Sequence, residues 1–203
     1  MQRILAAAAE PLLTFLWLAV ETGMRAGELR GLGSAISILT NPWFTCVRVL
    51  GEGRINLPRV QSALRSFALS PALLAHLAGY CRAWKPNERG VLLATRTGTP
   101  WDANLLVKRK LYPLGDSLGI ERGGLHAFRH TNSTFMDRLG VPLKVRQQRL
   151  GHSDSSLTPD VYTHVASEGD VRLAAQLDAI LRPNAPKNEN GSGMEPPKPF
   201  VVN

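Results

Sequence analysis

Cysteine, long apolar runs, early lysines and grouped carboxylates are all scarce in this sequence, and each shortage removes a class of function. Cys46 and Cys81 are the only cysteines in 203 residues and lie far apart. They read as buried thiols in a reducing compartment, not as a disulfide framework or a metal site. The most apolar stretch, residues 4–20, is broken by Glu10 and Pro11. It leaves about ten clean residues where about twenty are needed to cross a bilayer. Only Arg3 charges its front end, so a cleaved leader is disfavoured and no membrane partner is expected. No GxxxxGK[ST] loop occurs, which argues against ATP hydrolysis, and no HExxH or paired-cysteine motif, which argues against zinc. No group of carboxylates accompanies the histidines, which argues against two-metal phosphodiester chemistry. No metal and no cofactor is expected.

Positive charge is plentiful. Lys and Arg number 24 against 16 Asp and Glu, a net +8 with a pI near 10.1. Residues 103–150 hold nine basic and three acidic side chains, most of the excess in a quarter of the length. A concentrated basic face suits a polyanion, nucleic acid first. Apolar content of 44% fits a globular domain with a sizeable core.

The pattern predicts an α+β domain, mainly α-helical, with a small antiparallel β-sheet near the N-terminal third. Residues 12–22 read as a buried helix stopped by Gly23. Residues 31–44 read as loop and weak strand. Thr45–Leu50, Arg54–Leu57 and Leu64–Leu69 have β character, with Gly51-Glu52-Gly53 as a hairpin turn. Ser70 caps and Pro71 opens a helix over 71–84. Val91–Ala94 reads as a short strand, and Asp102 caps a helix over 102–118. That helix carries Lys108, Arg109 and Lys110, a solvated face or a phosphate contact. A helix over 124–139 ends at Gly140; the next runs from Pro142 to Leu150, with Gly151 as its stop. Glu168–Leu181 is amphipathic, with Val171, Ala174, Leu177 and Leu181 on one stripe. Residues 182–203, rich in proline and asparagine, are expected to be disordered.

Leu125-His126-Ala127-Phe128-Arg129-His130 concentrates chemistry. On a helix His126, Arg129 and His130 would share one face and suit an anionic oxygen such as a phosphate. Thr22-Gly23-Met24-Arg25-Ala26-Gly27-Glu28-Leu29 sets Arg25 in a glycine-flanked turn, where Glu28 could hold the guanidinium or a nearby backbone group. In isolation Arg25 reads more readily as a surface arginine at a helix start, because short Gly/Arg motifs are common by chance. Leu150-Gly151-His152 and Tyr162 complete the set. Arginine, imidazole and a phenol can cut a phosphodiester without metal: guanidinium groups hold the charge that builds, and the phenol attacks.

Together these residues resemble the catalytic domain of the tyrosine recombinases, the phage integrase group, from about Leu5 to Leu181. The Thr22–Leu29 stretch is similar to the first arginine box. Leu125-His126-Ala127-Phe128-Arg129-His130-Thr131 resembles the His-x-x-Arg box, and Leu150-Gly151-His152-Ser153-Asp154 the third. Tyr162-Thr163-His164-Val165 resembles the nucleophile segment. The resemblance implies that residues 1–181 form that domain, and that the family's N-terminal core-binding domain is absent. It implies that Arg25 and Arg129 clamp the scissile phosphate, that His126 and His152 donate to its oxygens or assist proton transfer, and that Tyr162 attacks. A 3′-phosphotyrosyl link and a free 5′-hydroxyl would follow. His130 is expected to be structural, bonding nearby backbone, and His76 filler at the surface or in the core.

One position departs from the pattern. The family's general-acid lysine corresponds to Arg59, and no lysine precedes Lys85. Arginine is a poor acid near neutrality, so slowed cleavage or another proton donor is expected. The implied partners are double-stranded DNA, contacted also by Lys108, Lys110, Arg122 and Arg146, and further protomers in a tetramer on paired sites. The C-terminal helix could dock in trans or on its own domain. A cytoplasmic, nucleoid-associated protein is expected. A topoisomerase-like relaxer and a catalytically silent DNA-binding relic are the alternatives.

Overall fold

A computed structural model describes residues 1–32, 43–46, 49–51, 54–56, 65–83, 87, 90–151 and 167–184. Arg59, His152, Tyr162, His164 and the tail beyond 184 lie outside the described residues.

The architecture is mainly α-helical and is built round one apolar helix. α1 (Gln2–Ala7) leads into α2 (Leu12–Thr22) and α3 (Ala26–Gly31). Every residue from Phe15 to Thr22 is buried. A helix apolar all round must be enclosed, and α2 is, touching α1, α3, α4 (Pro71–Ala83), α7 (Leu125–Arg138) and α9 (Ser167–Leu181). Phe15, Leu16 and Leu18 are each at most 1% exposed. Burying a side chain of that size stabilises by about 1.5–3 kcal/mol.

Among the described residues, four short strands form two antiparallel ladders of two strands each. β1 (Trp43–Cys46) pairs with β4 (Arg65–Ala68), Phe44 opposite Phe67. β2 (Val49–Gly51) pairs with β3 (Arg54–Asn56), Leu50 opposite Ile55. The expected run Thr45–Leu50 is therefore shared between two strands with different partners. The Ser70 cap is present: its Oγ accepts from Leu73 N at 3.2 Å. Val91–Ala94 is not a strand. Val91, Leu92 and Leu93 fill the core, and Ala94 makes a single bridge to Pro100. The hydroxyls of Thr95, Thr97 and Thr99 bond one another, closing a turn where a ladder would need extended backbone.

The helix expected over 102–118 starts as read, with Asp102 Oδ1 accepting from Leu105 N at 2.8 Å. Its middle is different. Between α5 (Ala103–Leu106) and α6 (Tyr112–Ser117), residues Val107–Leu111 form a π-helical segment in which Tyr112 N–H reaches back to Val107 O. The cause is Pro113. It has no N–H for the carbonyl four residues earlier, and its ring would strike that carbonyl, so the backbone widens by one residue.

α7 and α8 (Leu143–Leu150) follow, and α9 lies across them. Ala174, Leu177 and Leu181 are buried as expected, but Val171 is 49% exposed and Leu173 takes its place at 4%. Leu173 and Leu177 meet Met136 of α7 and Leu150 of α8. The helix thus packs on its own chain. Cys81 is half-buried rather than fully enclosed, and burial still pushes its thiol pKa up.

Glu21 is a carboxyl inside this core. Ser70 donates to it twice, N to Oε1 at 2.5 Å and Oγ to Oε2 at 3.0 Å. Burial nevertheless pushes its pKa up to about 7; the Ser70 bonds and Arg149 pull down, while Asp178 pushes up. The folded chain therefore holds a proton that the unfolded chain releases above about pH 4.5. Stability is full below that value and falls as pH rises through about 7, by roughly 3 kcal/mol for a shift of this size. Glu21→Gln keeps the acceptor and removes the charge. Urea midpoints of the two proteins should agree more closely at pH 4.5 than at pH 8, where the variant gains.

Candidate active site

The site is assembled at the carboxyl end of α2. Gly23 stops that helix with φ +68°, and the chain turns at once into α3 with Arg25 at its N-cap. The last carbonyls of α2 have no partners within the helix, and three side chains from elsewhere supply them. Asn132 of α7 donates from Nδ2 to Val20 O at 2.7 Å and Glu21 O at 3.1 Å. Arg149 of α8 donates from Nη2 to Glu21 O at 3.1 Å. Arg129 of α7 donates from Nη1 to Gly23 O at 2.5 Å. Cations are favoured at this end of a helix, where the carbonyl dipoles converge.

Arg25 and Arg129 meet on one turn. Arg129 Nη2 donates to Leu150 O, and Arg25 Nη2 to Gly151 O at 3.2 Å. Two arginines more than a hundred residues apart thus hold consecutive carbonyls at the end of α8, immediately before His152. Glu28 supports Arg25 as the sequence suggested: Oε2 accepts from Arg25 N at 2.7 Å, and Oε1 from Nη1 at 3.5 Å. Arg129 is buried, 5% exposed, while the Arg25 side chain keeps 49% of its surface.

The shared stripe expected for His126, Arg129 and His130 divides. Arg129 belongs to the buried face of α7 with Phe128, Asn132 and Met136. His126 and His130 are exposed, their rings edge to face at 4.6 Å. At 100° per residue Arg129 falls at the margin of the apolar face, so the core takes it. His130 is thus a surface ring beside His126. His76 is more than filler: Nε2 lies 2.7 Å from Thr14 Oγ1 and 3.1 Å from Glu10 Oε1, with its ring against Trp17.

The sequence profile described as the phage integrase family matches residues 1–168. The chain belongs to that family. The chain is 28% identical over 176 residues to an integrase of a Staphylococcus phage, covering 79% of the chain and 49% of that relative. It is 27% identical over 189 residues to a tyrosine recombinase XerC-like protein of Caldanaerobacter subterraneus, covering 81% and 48%. The chain therefore spans about half the length of these relatives. Among solved structures it is similar to the Tn1549 transposon integrase in complex with circular intermediate DNA. That match has a TM-score of 0.61 at 21% identity, covering 83% of this chain and 59% of the other. XerA recombinase matches with a TM-score of 0.58 at 21% identity, covering 92% and 61%. The fold is that of the tyrosine recombinase catalytic domain.

The other candidate residues are distributed unevenly. Lys108, Arg109 and Lys110 are exposed along the π segment. Arg122 and Arg146, expected to reach DNA, each have a carboxylate partner. Arg122 grips Asp116 through Nε at 3.0 Å and Nη2 at 2.7 Å, and lies over the Tyr112 ring. The Arg122 hydrogen bond holds the Asp116 carboxyl below its ordinary pKa. Arg146 Nη1 meets Asp137 Oδ1 at 2.6 Å. Arg59, His152 and Tyr162 lie outside the described residues. Among the described residues no three His, Cys, Asp or Glu side chains group to hold a metal ion, and no helix is long and apolar enough to cross a membrane.

Sequence reasoning missed Asn132, Arg149 and Glu21. A usable signal existed for Asn132, an amide three positions after Arg129 on the same face of α7. Arg149 stands directly before Leu150-Gly151, but nothing local announces that it turns inward.

Proposed function

We propose that residues 1–181 form the strand-cutting domain of a site-specific recombinase that breaks and rejoins double-stranded DNA without metal or nucleotide. The observation that carries this reading is the meeting of Arg25 and Arg129 on the Leu150 and Gly151 carbonyls, one residue before His152. Two guanidinium groups set there bind the non-bridging oxygens of a phosphate and stabilise the charge that develops as its phosphorus is attacked. Tyr162 is the nucleophile: its phenolate oxygen forms the phosphotyrosyl bond as the 5′-oxygen leaves. The bond energy is kept, so rejoining by that 5′-hydroxyl reverses the step. His126 and His152 donate to the phosphate or move the phenolic proton, and Arg59 stands where a lysine would protonate the leaving oxygen.

Lys108 and Lys110 are the readier phosphate-backbone contacts of the four candidates, because they are exposed while Arg122 and Arg146 each pair with a carboxylate. Recombination joins two sites, so several protomers act together. Docking of α9 in trans would first require Leu173, Leu177 and Leu181 to leave their own core.

The test uses a pool of nicked duplexes with randomised arms, in which the cut fragment diffuses away and traps the adduct. Wild type should yield a covalent protein–DNA band and Tyr162→Phe none. DNA retardation without any covalent band would instead mark a silent DNA binder. In the same assay Arg59→Lys should speed adduct formation, by up to the 10²–10⁴-fold typical of general acid catalysis.

A further inference from the structure

Asp170 stands in the first turn of α9, outside the arginine boxes, and makes two contacts that reach across the fold. Its Oδ1 pairs with Arg149 Nη1, and its Oδ2 accepts from Ala68 N, at the end of β4, at 2.5 Å. The pair is nearly dry: 4% of the Arg149 side chain and 14% of the Asp170 side chain are exposed. Arg149 in turn donates to Glu21 O at the end of α2. The two residues after Arg149 are Leu150 and Gly151, whose carbonyls hold Arg129 and Arg25. Asp170 thus holds the Arg149 side chain, and the backbone runs directly from Arg149 into the turn on which both guanidinium groups rest.

We propose that Asp170 is a positioning residue that sets the geometry of the Arg25–Arg129 pair through Arg149. The proposal rests on the reading of these arginines as a phosphate clamp. The ion pair fixes the rotation of the last turn of α8, and that rotation decides where the Leu150 and Gly151 carbonyls point. Ala68 N fixes the carboxylate from the opposite side, so Asp170 cannot follow Arg149 if the turn drifts. Low water access makes the anchor stiff, because a buried charge that loses its partner has nowhere to go.

Asp170→Asn is the first test, since it keeps an acceptor for Ala68 N and removes the charge that holds Arg149. The double variant Arg149→Met/Asp170→Asn removes both buried charges and guards against simple unfolding. In the full chain, wild type should show resolved NMR guanidinium resonances for Arg129 and Arg25, and both variants should show averaged ones. Unchanged resonances in folded variants overturn the proposal, whether or not the protein cleaves DNA.

Cleavage supplies the second arm, on a duplex selected from the randomised pool. At saturating DNA the variants should form adduct about 10- to 100-fold more slowly, the scale of loss from misplacing a group by an ångström. A neutral methylphosphonate at the scissile position has less need of a charge clamp, so there the loss should be under about threefold by the same argument. Equal losses on both substrates would mean a structural role only and would sink the idea. A wild-type protein that forms no Tyr162-dependent adduct would fail the recombinase reading, and the resonances would still decide the role of Asp170.

Discussion

Arg129→Ala is expected to reduce formation of the covalent adduct by at least about 10²–10³-fold, the cost of removing one preorganised donor from a developing oxyanion. Two effects act together. On the proposed reading, the substitution takes one of two positive charges from the phosphate. It also strips donors from Gly23 O and Leu150 O, which Arg129 links across the junction of α2 and α8. A buried acceptor left unpaired costs about 1–3 kcal/mol, so the urea midpoint should fall as well. Arg129→Lys separates these contributions. An ammonium keeps the charge but lacks the planar fork that spans two carbonyls, so lysine should restore stability poorly and cleavage only in part. DNA affinity should change far less than the cleavage rate, because exposed cations such as Lys108 and Lys110 remain. Wild-type adduct formation by Arg129→Ala, in single turnover at saturating DNA, would remove Arg129 from the chemistry.

Local rules made much of this fold legible. Gly23, Ser70, Asp102 and Gly140 end or open helices where the sequence places them, because caps and left-handed turns depend on one or two residues and their own backbone. The four boxes marked the family for a similar reason: each keeps its chemistry within a few positions. What escaped was fixed by distant partners. The Asp170–Arg149 pair and the Glu21–Ser70 bonds join segments remote in the chain. No periodicity encodes such a pairing. The inward turn of Arg129 came from a face boundary that only packing draws, and the exposure of Val171 from a rotation of α9 that brings Leu173 to the core. Pro113 was visible throughout, yet its effect appeared as a widened turn before it rather than as a break. Arg122 and Arg146 were assigned to DNA by sign alone, which could not reveal their pairing with Asp116 and Asp137.

Gly23 is where the fold and the site depend on the same backbone, and Gly23→Ala is expected to be strongly damaging for so small a substitution. The backbone there is at φ +68°, which costs an L-residue about 1–2 kcal/mol. Space is also missing. A Cβ would lie 2.7 Å from Asn132 Oδ1 and 2.8 Å from Leu150 Cδ2. Neither neighbour can yield cheaply, since Asn132 caps α2 and Leu150 is packed in the core whose carbonyl holds Arg129. Overpacking of this kind adds about 1–3 kcal/mol. Gly140→Ala isolates the first contribution, because Gly140 has φ +70° and nothing within 4 Å of a Cβ. The Gly140 variant should lose about 1–2 kcal/mol and cleave normally. The Gly23 variant should lose about 2–5 kcal/mol and cleave slowly even where it remains folded, because relieving the clash moves Gly23 O and Leu150 O, the two acceptors of Arg129. Equal losses of stability in the two variants, measured by urea unfolding, would show that the close approach of α2, α7 and α8 does not constrain this junction.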